Sequence, residues 1–146
     1  MLKGIPACIN PDLLKALAEM GHGDQIVLAD DFFPATSMAQ SGVTIHADGI
    51  GAAEMLDAIL RIMPLDTEFA EHPVLIMDMA NRQGQPRPAV WDDFARAVSH
   101  HVKKGESCIG FIDRFAFYEQ AKKAFAIVST GERHPYGCVI LQKGVN

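Results

Sequence analysis

The stretch NPDLLKALAEMGHGDQIVLAD, residues 10–30, decides the fold because it places an amphipathic helix directly before an apolar strand. Asn10 suits the N-cap and Pro11 the first helical position, and Gly21 tolerates the left-handed backbone that ends a helix. The apolar side chains of this helix fall on one stripe: Leu13, Leu14, Leu17 and Met20. The short apolar run over 25–29 then predicts a strand buried on both faces.

The same alternation of helix and strand patterns continues to the end of the chain. Apolar residues at helical spacing, with Asp113 as the N-cap of the last segment, predict helices over 10–20, 49–63, 89–103 and 114–124. Short apolar or alternating runs predict strands over 25–29, 43–48, 74–79, 108–112, 125–130 and 138–143. The order α-β-β-α-β-α-β-α-β-β predicts a three-layer α/β/α fold with a central sheet, as a single domain over residues 1–146.

Size and charge restrict the classes of protein. A chain of 146 residues is long enough to form one core that needs no disulfide or metal. Its formal net charge of -5, with acids and bases interspersed, argues against a nucleic-acid partner. Three cysteines at unrelated spacings, apolar runs far shorter than a membrane span and the lack of an N-terminal signal core predict a cytoplasmic protein with no membrane partner.

Metal, nucleotide and covalent chemistry find no support in the motifs. The six histidines form no His-x-x-x-His arrangement, and the neighbours His100 and His101 point about 100° apart on a helix. No nucleophile elbow, catalytic-cysteine signature or Walker loop is present. Gly21-His22-Gly23 precedes a strand, which reverses the order found in phosphate loops. The sequence therefore predicts neither a metal site nor a cofactor.

Polar residues at the strand ends remain as candidates, because ligands of such sheets bind where the strands end. The residues concerned are Asp30, Asp78, the pair Asp113-Arg114 and the turn over 133–136. Asp30 follows an apolar strand, where its carboxylate would accept hydrogens from a ligand's hydroxyl groups or cap a turn. Arg114 begins a helix, and the positive end of a helix is unfavourable for a cation. The sequence leaves three ways to compensate its charge: a bound polyol, a carboxylate, or solvent around the guanidinium while the side-chain stem lies over a Phe ring.

One histidine and two tyrosines are the candidates for proton transfer. His22 lies between two glycines just past a helix, where an imidazole is able to reach a ligand and exchange protons near neutral pH. A surface turn histidine is the alternative. Tyr118 either packs in the core or faces a site, and Tyr136, in a turn between Pro135 and Gly137, is the better candidate for a displayed phenol.

Seven stretches carry a family resemblance: PDLLKALAEMGHGD (11–24), IVLAD through FPATS (26–37), ADG (47–49), IDRFAFYE (112–119), KAFAIVSTGER (123–133), YG (136–137) and KGV (143–145). Together they span nearly the whole chain, and the MGHGD and RFAFYE strings are specific. On these residues the chain resembles the RbsD/FucU family, in particular its L-fucose mutarotase branch.

The resemblance implies an isomerase that interconverts the α and β anomers of a free monosaccharide. It makes His22 the acid/base group, and we expect Tyr118 or Tyr136 to assist it. It implies that Asp30, Arg114 and the turn Tyr136-Gly137-Cys138 bind the sugar. It also implies rings of subunits, commonly decamers, with sites near the subunit contacts.

Two positions depart from the family pattern. Cys138 follows Tyr136-Gly137 where the family usually has Asn, and a thiol is a poor hydrogen-bonding substitute for an amide. His46 precedes Ala-Asp-Gly where the mutarotases often have Arg. Either change would alter which sugar fits, and neither removes His22.

Three other functions stay open on the sequence. A ribose pyranase of the same fold would interconvert pyranose and furanose forms, although the RFAFYE string favours the fucose branch. A non-catalytic sugar-binding partner of a transporter would need the same binding residues. Asp30-Asp31 and Asp78 superficially resemble the acidic cluster of a phospho-receiver domain, but a helix precedes the first strand and no late strand ends in a Lys that would pair with a phosphate.

Overall fold

A six-stranded sheet forms the centre of the molecule in the computed structural model, which describes residues 2–80 and 83–145. The strands are β1 (Gln25–Ala29), β2 (Thr44–Ala47), β3 (Val74–Met77), β4 (Ile109–Ile112), β5 (Ala126–Thr130) and β6 (Val139–Gln142). The helices are α1 (Pro11–Glu19), α2 (Ala35–Met38), α3 (Ala52–Leu60), α4 (Ala89–His101) and α5 (Arg114–Lys123). A short 3-10 turn over Gly105–Cys108 connects α4 with β4.

One strand of the sheet runs against the others. The strand order is β2-β5-β1-β6-β3-β4. β5 is parallel to β1 and β2, and β3 is parallel to β4, whereas β6 is antiparallel to both β1 and β3. The carboxyl ends of β1, β3 and β4 therefore lie at the same edge of the sheet as the amino end of β6. We call this edge the carboxyl edge and the opposite one the amino edge.

Helices cover both faces of the sheet, which confirms the predicted three-layer α/β/α architecture. Ile26 and Leu28 of β1 belong to the core formed with α1, α3 and α4. Val27 and Ala29 belong to the core on the other face, formed with α2 and α5. All four side chains are fully buried, which explains why this stretch of sequence is apolar without alternation.

The two predicted N-caps are confirmed, whereas the predicted left-handed Gly21 is wrong: Met20, with extended backbone, is the C-cap of α1, and the positive φ in this turn belongs to Gly23. Two helices, α3 and α4, are shorter than predicted. The Asn10 side chain accepts a hydrogen bond from the Leu13 amide at 2.9 Å, and Asp113 caps α5 in the same way. α3 does not fill the predicted range 49–63 because extended Gly51 is its N-cap. Its last turn ends before Pro64, which cannot continue a helix.

The structure also corrects other sequence-based boundaries. α2 occupies four residues after Pro34, where neither helix nor strand is predicted, because one turn is too short to show helical periodicity. β4 begins one residue later than predicted, since the 3-10 turn uses Cys108. β3 ends at Met77, two residues before the predicted end.

Candidate functional site

A cavity of about 220 Å³ opens at the carboxyl edge of the sheet. Its polar lining comes from the end of β1, the start of α5 and the segment before β6: Asp30, Arg114, Tyr118, Tyr136 and Cys138. Phe32 and Phe33 form an aromatic wall beside them. The cavity is smaller than the roughly 300–1,000 Å³ clefts that hold drug-sized ligands, which favours a ligand of monosaccharide size.

Asp30 combines the two roles that the sequence left open for it. Its side chain accepts a hydrogen bond from the Phe32 amide at 3.1 Å and so caps the turn after β1. The residue is only 5% exposed, and it lines the cavity. Burial raises the pKa of Asp30 above its usual value, although hydrogen bonds from Cys138 and from the amides of Phe32, Phe33 and Tyr136 oppose the rise.

Cys138 packs against Asp30 in the wall of the cavity. The residue is 1% exposed, and its Sγ accepts a hydrogen bond from the Asp30 amide at 3.3 Å. Burial, together with the nearby Asp30 carboxylate, raises the pKa of this thiol well above its usual value. The side chain is therefore neutral at pH 7, and its main contact is with Asp30.

The turn before β6 holds Tyr136 in an unusual conformation. Tyr136 has a φ of 64°, which is the left-handed region that non-glycine residues rarely adopt. The indole Nε1–H of Trp91 donates to the Tyr136 carbonyl at 2.9 Å and fixes it. A Cβ on Gly137 would lie 2.6 Å from Glu132 Cγ, so this position requires glycine. Such strained, fixed turns concentrate at functional sites.

Arg114 and Tyr118 reach the cavity from the first two turns of α5. The Arg114 guanidinium lies over the Phe115 ring at 5.1 Å and the Tyr118 ring at 6.0 Å. It forms no ion pair with a carboxylate of the described chain, so the partner is the aromatic surface that the sequence left open as one alternative. Tyr118 packs against Phe33, with ring centroids 5.6 Å apart. The guanidinium charge is thus available to a ligand in the cavity.

His22 lies at the other edge of the sheet. It precedes β1, whose carboxyl end carries Asp30, and β1 alone spans roughly 16 Å. His22 Nε2 is 3.1 Å from Oδ2 of Asp66, and its side chain is 42% exposed. Its ring lies against Phe69, with ring centroids 5.2 Å apart. Within one copy of the chain, His22 is therefore not part of the hollow that contains the other predicted site residues.

The remaining strand-end candidates do not line the cavity. The Asp78 amide donates to the Ile112 carbonyl at 2.7 Å, which ties together the ends of β3 and β4. Arg133 pairs with Asp31 at 3.4 Å, on the exposed side of the turn. Asp113 is the N-cap of α5.

Two residues of functional interest escaped the sequence analysis. Asp66 is 2% exposed and accepts hydrogen bonds from His22, Gln142 and the Phe69 amide. Asp66 belongs to no sequence motif, and it is 44 residues from His22 in the sequence, so no local pattern indicates their contact. Trp91 lies within the predicted helix over 89–103, but its hydrogen bond to the Tyr136 turn depends on packing between distant segments.

Neither a metal cluster nor a membrane-spanning helix occurs in residues 2–80 and 83–145. No three His, Cys, Asp or Glu side chains of this part are grouped so as to hold a metal ion. None of its helices is long and apolar enough to cross a bilayer.

Comparison with known proteins relates this geometry to a family. The model of the RbsD / FucU transport protein family matches residues 3–146. The fucose mutarotase of Homo sapiens is 45% identical in an alignment of 150 positions, which covers 99% of this chain and 94% of the relative.

Two solved structures share the fold. The crystal structure of the fucose mutarotase from Streptococcus pneumoniae in complex with L-fucose is 43% identical with a TM-score of 0.91, and the match covers 99% of each chain. RbsD of Bacillus subtilis complexed with D-ribose is 25% identical with a TM-score of 0.70, and the match covers 100% of this chain and 99% of that one. With a family model that spans almost every residue and relatives of this identity, the chain belongs to the RbsD/FucU family.

Proposed function

We propose that this chain is a mutarotase that interconverts the α and β anomers of L-fucose. The observation that carries the proposal is the cavity at the carboxyl edge, where a buried carboxylate, a guanidinium and two phenols converge around a space of sugar size. The identity to fucose mutarotases, and the L-fucose complex of a relative with the same fold, support L-fucose as the substrate.

Mutarotation needs only proton transfers. A base removes the proton from the anomeric hydroxyl, the bond between the anomeric carbon and the ring oxygen breaks, and an acid delivers a proton to that oxygen. The open aldehyde rotates and the ring closes again by the reverse steps, so no atom or electron is gained or lost. Positioned acid/base groups contribute about 10²–10⁴-fold to such a step.

The cavity residues suit the binding and orientation of the sugar ring. Asp30 accepts hydrogens from sugar hydroxyls, and Arg114 donates to sugar oxygens, because charge-assisted hydrogen bonds are stronger than neutral ones. The turn Tyr136-Gly137-Cys138 closes the cavity, and Tyr118 or Tyr136 assists the proton transfers. Phe32 and Phe33 form an apolar wall that suits the methyl group of a deoxy sugar.

We propose that the acid/base group, His22, enters the cavity from a neighbouring copy of the chain. In support, His22 lies at the amino edge with a large exposed aromatic side chain beside it, Phe69, which is 73% exposed. Phe32 and Phe115, 62% and 67% exposed, lie beside the cavity at the carboxyl edge. A head-to-tail contact between the two edges would cover these rings and, repeated around an axis, would close a ring such as the expected decamer.

The test is an exchange measurement on free sugars. Saturation-transfer NMR should detect catalysed exchange between the anomers of L-fucose, and slower exchange with D-ribose. Catalysed exchange of D-ribose alone would instead favour the ribose pyranase. His22→Ala should abolish the exchange while the sugar still binds. Equal binding by wild type and His22→Ala, with no exchange in either, would favour a non-catalytic sugar-binding protein.

We further propose that residues 1–146 act as one domain in the cytoplasm. The cysteines Cys8, Cys108 and Cys138 are all free thiols, as is usual in a reducing compartment.

A further inference from the structure

The turn that carries His22 is fixed to the end of β6. The Gly21 amide donates to Oδ2 of Asp24 at 2.7 Å, and the Gly23 amide donates to the Lys143 carbonyl at 2.8 Å. Gly23 has a φ of 85°, which suits glycine. The Lys143 ammonium donates in turn to the last carbonyls of α1. The backbone of His22 is therefore held on both sides.

Asp66 holds the imidazole of His22, and hydrogen bonds hold Asp66 itself in place. Its own amide donates to the Gln142 carbonyl at 3.0 Å, which fixes its backbone to β6. Its Oδ1 accepts from the Phe69 amide at 3.1 Å, and its Oδ2 accepts from Gln142 Nε2 at 3.0 Å. Gln142 cannot turn its amide freely, because its Oε1 accepts from Gln25 Nε2 at 3.2 Å. The remaining contact of Oδ2 is with His22 Nε2.

The charge of Asp66 decides which nitrogen of His22 carries the proton. Burial by itself would raise the pKa of Asp66, but the hydrogen bonds from Phe69, Gln142 and His22 outweigh it and lower the pKa below its usual value. An ionised carboxylate only accepts hydrogen bonds, so His22 Nε2 must be the donor. In the neutral ring, Nδ1 then has a free lone pair, and no residue of the described chain bonds to it.

We propose that Asp66 is the positioning residue of the acid/base group: it selects the Nε2–H tautomer of His22 and leaves Nδ1 as the atom that exchanges protons with the sugar. This inference rests on the proposed function. Nδ1 takes the proton of the anomeric hydroxyl, and the imidazolium so formed is stabilised by the Asp66 carboxylate until Nδ1 returns a proton. Phe69, whose ring packs against the imidazole at an interplanar angle of 55°, limits its rotation.

The variant Asp66→Asn tests the assignment at constant size. Asparagine has no charge, and its single acceptor oxygen cannot serve both the Phe69 amide on one side and the Gln142 and His22 donors on the other. The preference of the ring for hydrogen on Nε2 therefore weakens in favour of hydrogen on Nδ1. We expect kcat for anomer exchange to fall by about 10²–10⁴-fold, while KM changes by less than about threefold. Asp57→Asn is the matched control: Asp57 Oδ1 lies 2.7 Å from His101 Nε2 in a second carboxylate–imidazole pair that belongs neither to the cavity nor to the His22 turn, so kcat should stay near the wild-type value.

Ring-nitrogen NMR separates this role from a structural one. Long-range proton–nitrogen spectra of the ligand-free wild type should show His22 with the hydrogen on Nε2, and Asp66→Asn should shift it toward Nδ1. Hydrogen on Nδ1 in the wild type, or an unchanged tautomer and kcat in Asp66→Asn, would overturn the proposal. The wild-type spectrum decides even if Asp66→Asn does not fold. It also decides if no sugar exchange occurs, in which case the proposed function fails separately.

Discussion

Asp30 shows how one side chain serves both the fold and the site. Its carboxylate caps the turn after β1 through the Phe32 amide and lines the cavity at the carboxyl edge. Its position at the end of an apolar strand identified it in the sequence, because polar groups at strand ends meet ligands. Its partner Cys138 was found only through a family pattern, and its contact with the Asp30 amide depends on β6 lying antiparallel beside β1.

Asp30→Asn should weaken sugar binding while the cavity keeps its shape. The amide retains one acceptor oxygen for the Phe32 amide but loses the charge that strengthens hydrogen bonds to sugar hydroxyls. Because such bonds contribute about 1.5–3 kcal/mol, the Kd for L-fucose should rise by about 10- to 100-fold. Isothermal titration calorimetry measures this Kd. Asp31→Asn, an exposed neighbour paired with Arg133, is the control, and an equal loss in both variants would contradict the role of Asp30.

The pH dependence of the free energy of unfolding shows whether the Asp30→Asn protein is correctly folded. Burial raises the pKa of Asp30, so the folded chain holds this proton more tightly than the unfolded chain. The free energy of unfolding therefore falls as pH rises from about 3.9, the unfolded value, through the folded pKa. Asp30→Asn removes this titration. The free energy of unfolding of the variant, compared with that of the wild type, should therefore increase as the pH rises from 4 to 7. A relative loss over that range would contradict the raised pKa.

At the scale of elements, the turn before β6 depends on a helix 45 residues away. Trp91 of α4 is fully buried and donates its indole hydrogen to the carbonyl of Tyr136, which has the left-handed backbone. α4 therefore positions one wall of the cavity although none of its described residues lines the cavity.

Trp91→Phe should affect substrate binding as well as stability. The change leaves the Tyr136 carbonyl without its donor and should lower the free energy of unfolding by about 1–3 kcal/mol. With the turn released, KM for L-fucose should rise, as steady-state exchange rates would show. Phe94→Leu, at a fully buried position of the same helix, should cost stability with KM unchanged. The expectation fails if the two variants lose stability equally and both keep the wild-type KM.

Most of the helices and strands can be predicted from the sequence. α1 and β1 carry clear patterns because each buries a defined set of side chains: one stripe for the helix and both faces for the strand. α2 gave no signal, since a single turn shows no period. No pattern in the sequence indicates which strands pair in parallel and which in antiparallel orientation. The sequence therefore identified Asp30 and His22 as candidates, but not that they lie at opposite edges of the sheet.

At the scale of the whole molecule, this separation is the central fact. The cavity with Asp30 and Arg114 is at the carboxyl edge, and the His22–Asp66 pair is at the amino edge. Each of the two groups has exposed aromatic side chains next to it. The proposal that His22 acts on a sugar in this cavity therefore implies that two copies of the chain form each site.

Mixed oligomers test this claim most directly. His22→Ala and Arg114→Ala each remove one half of the site, so each protein alone should show no catalysed exchange of L-fucose. When the two are co-expressed and assemble at random, about a quarter of the sites should combine an intact His22 with an intact Arg114 from the neighbouring copy. Saturation-transfer NMR should then recover about that fraction of the wild-type rate. Mixed oligomers as inactive as the separate variants would show that each site belongs to a single chain.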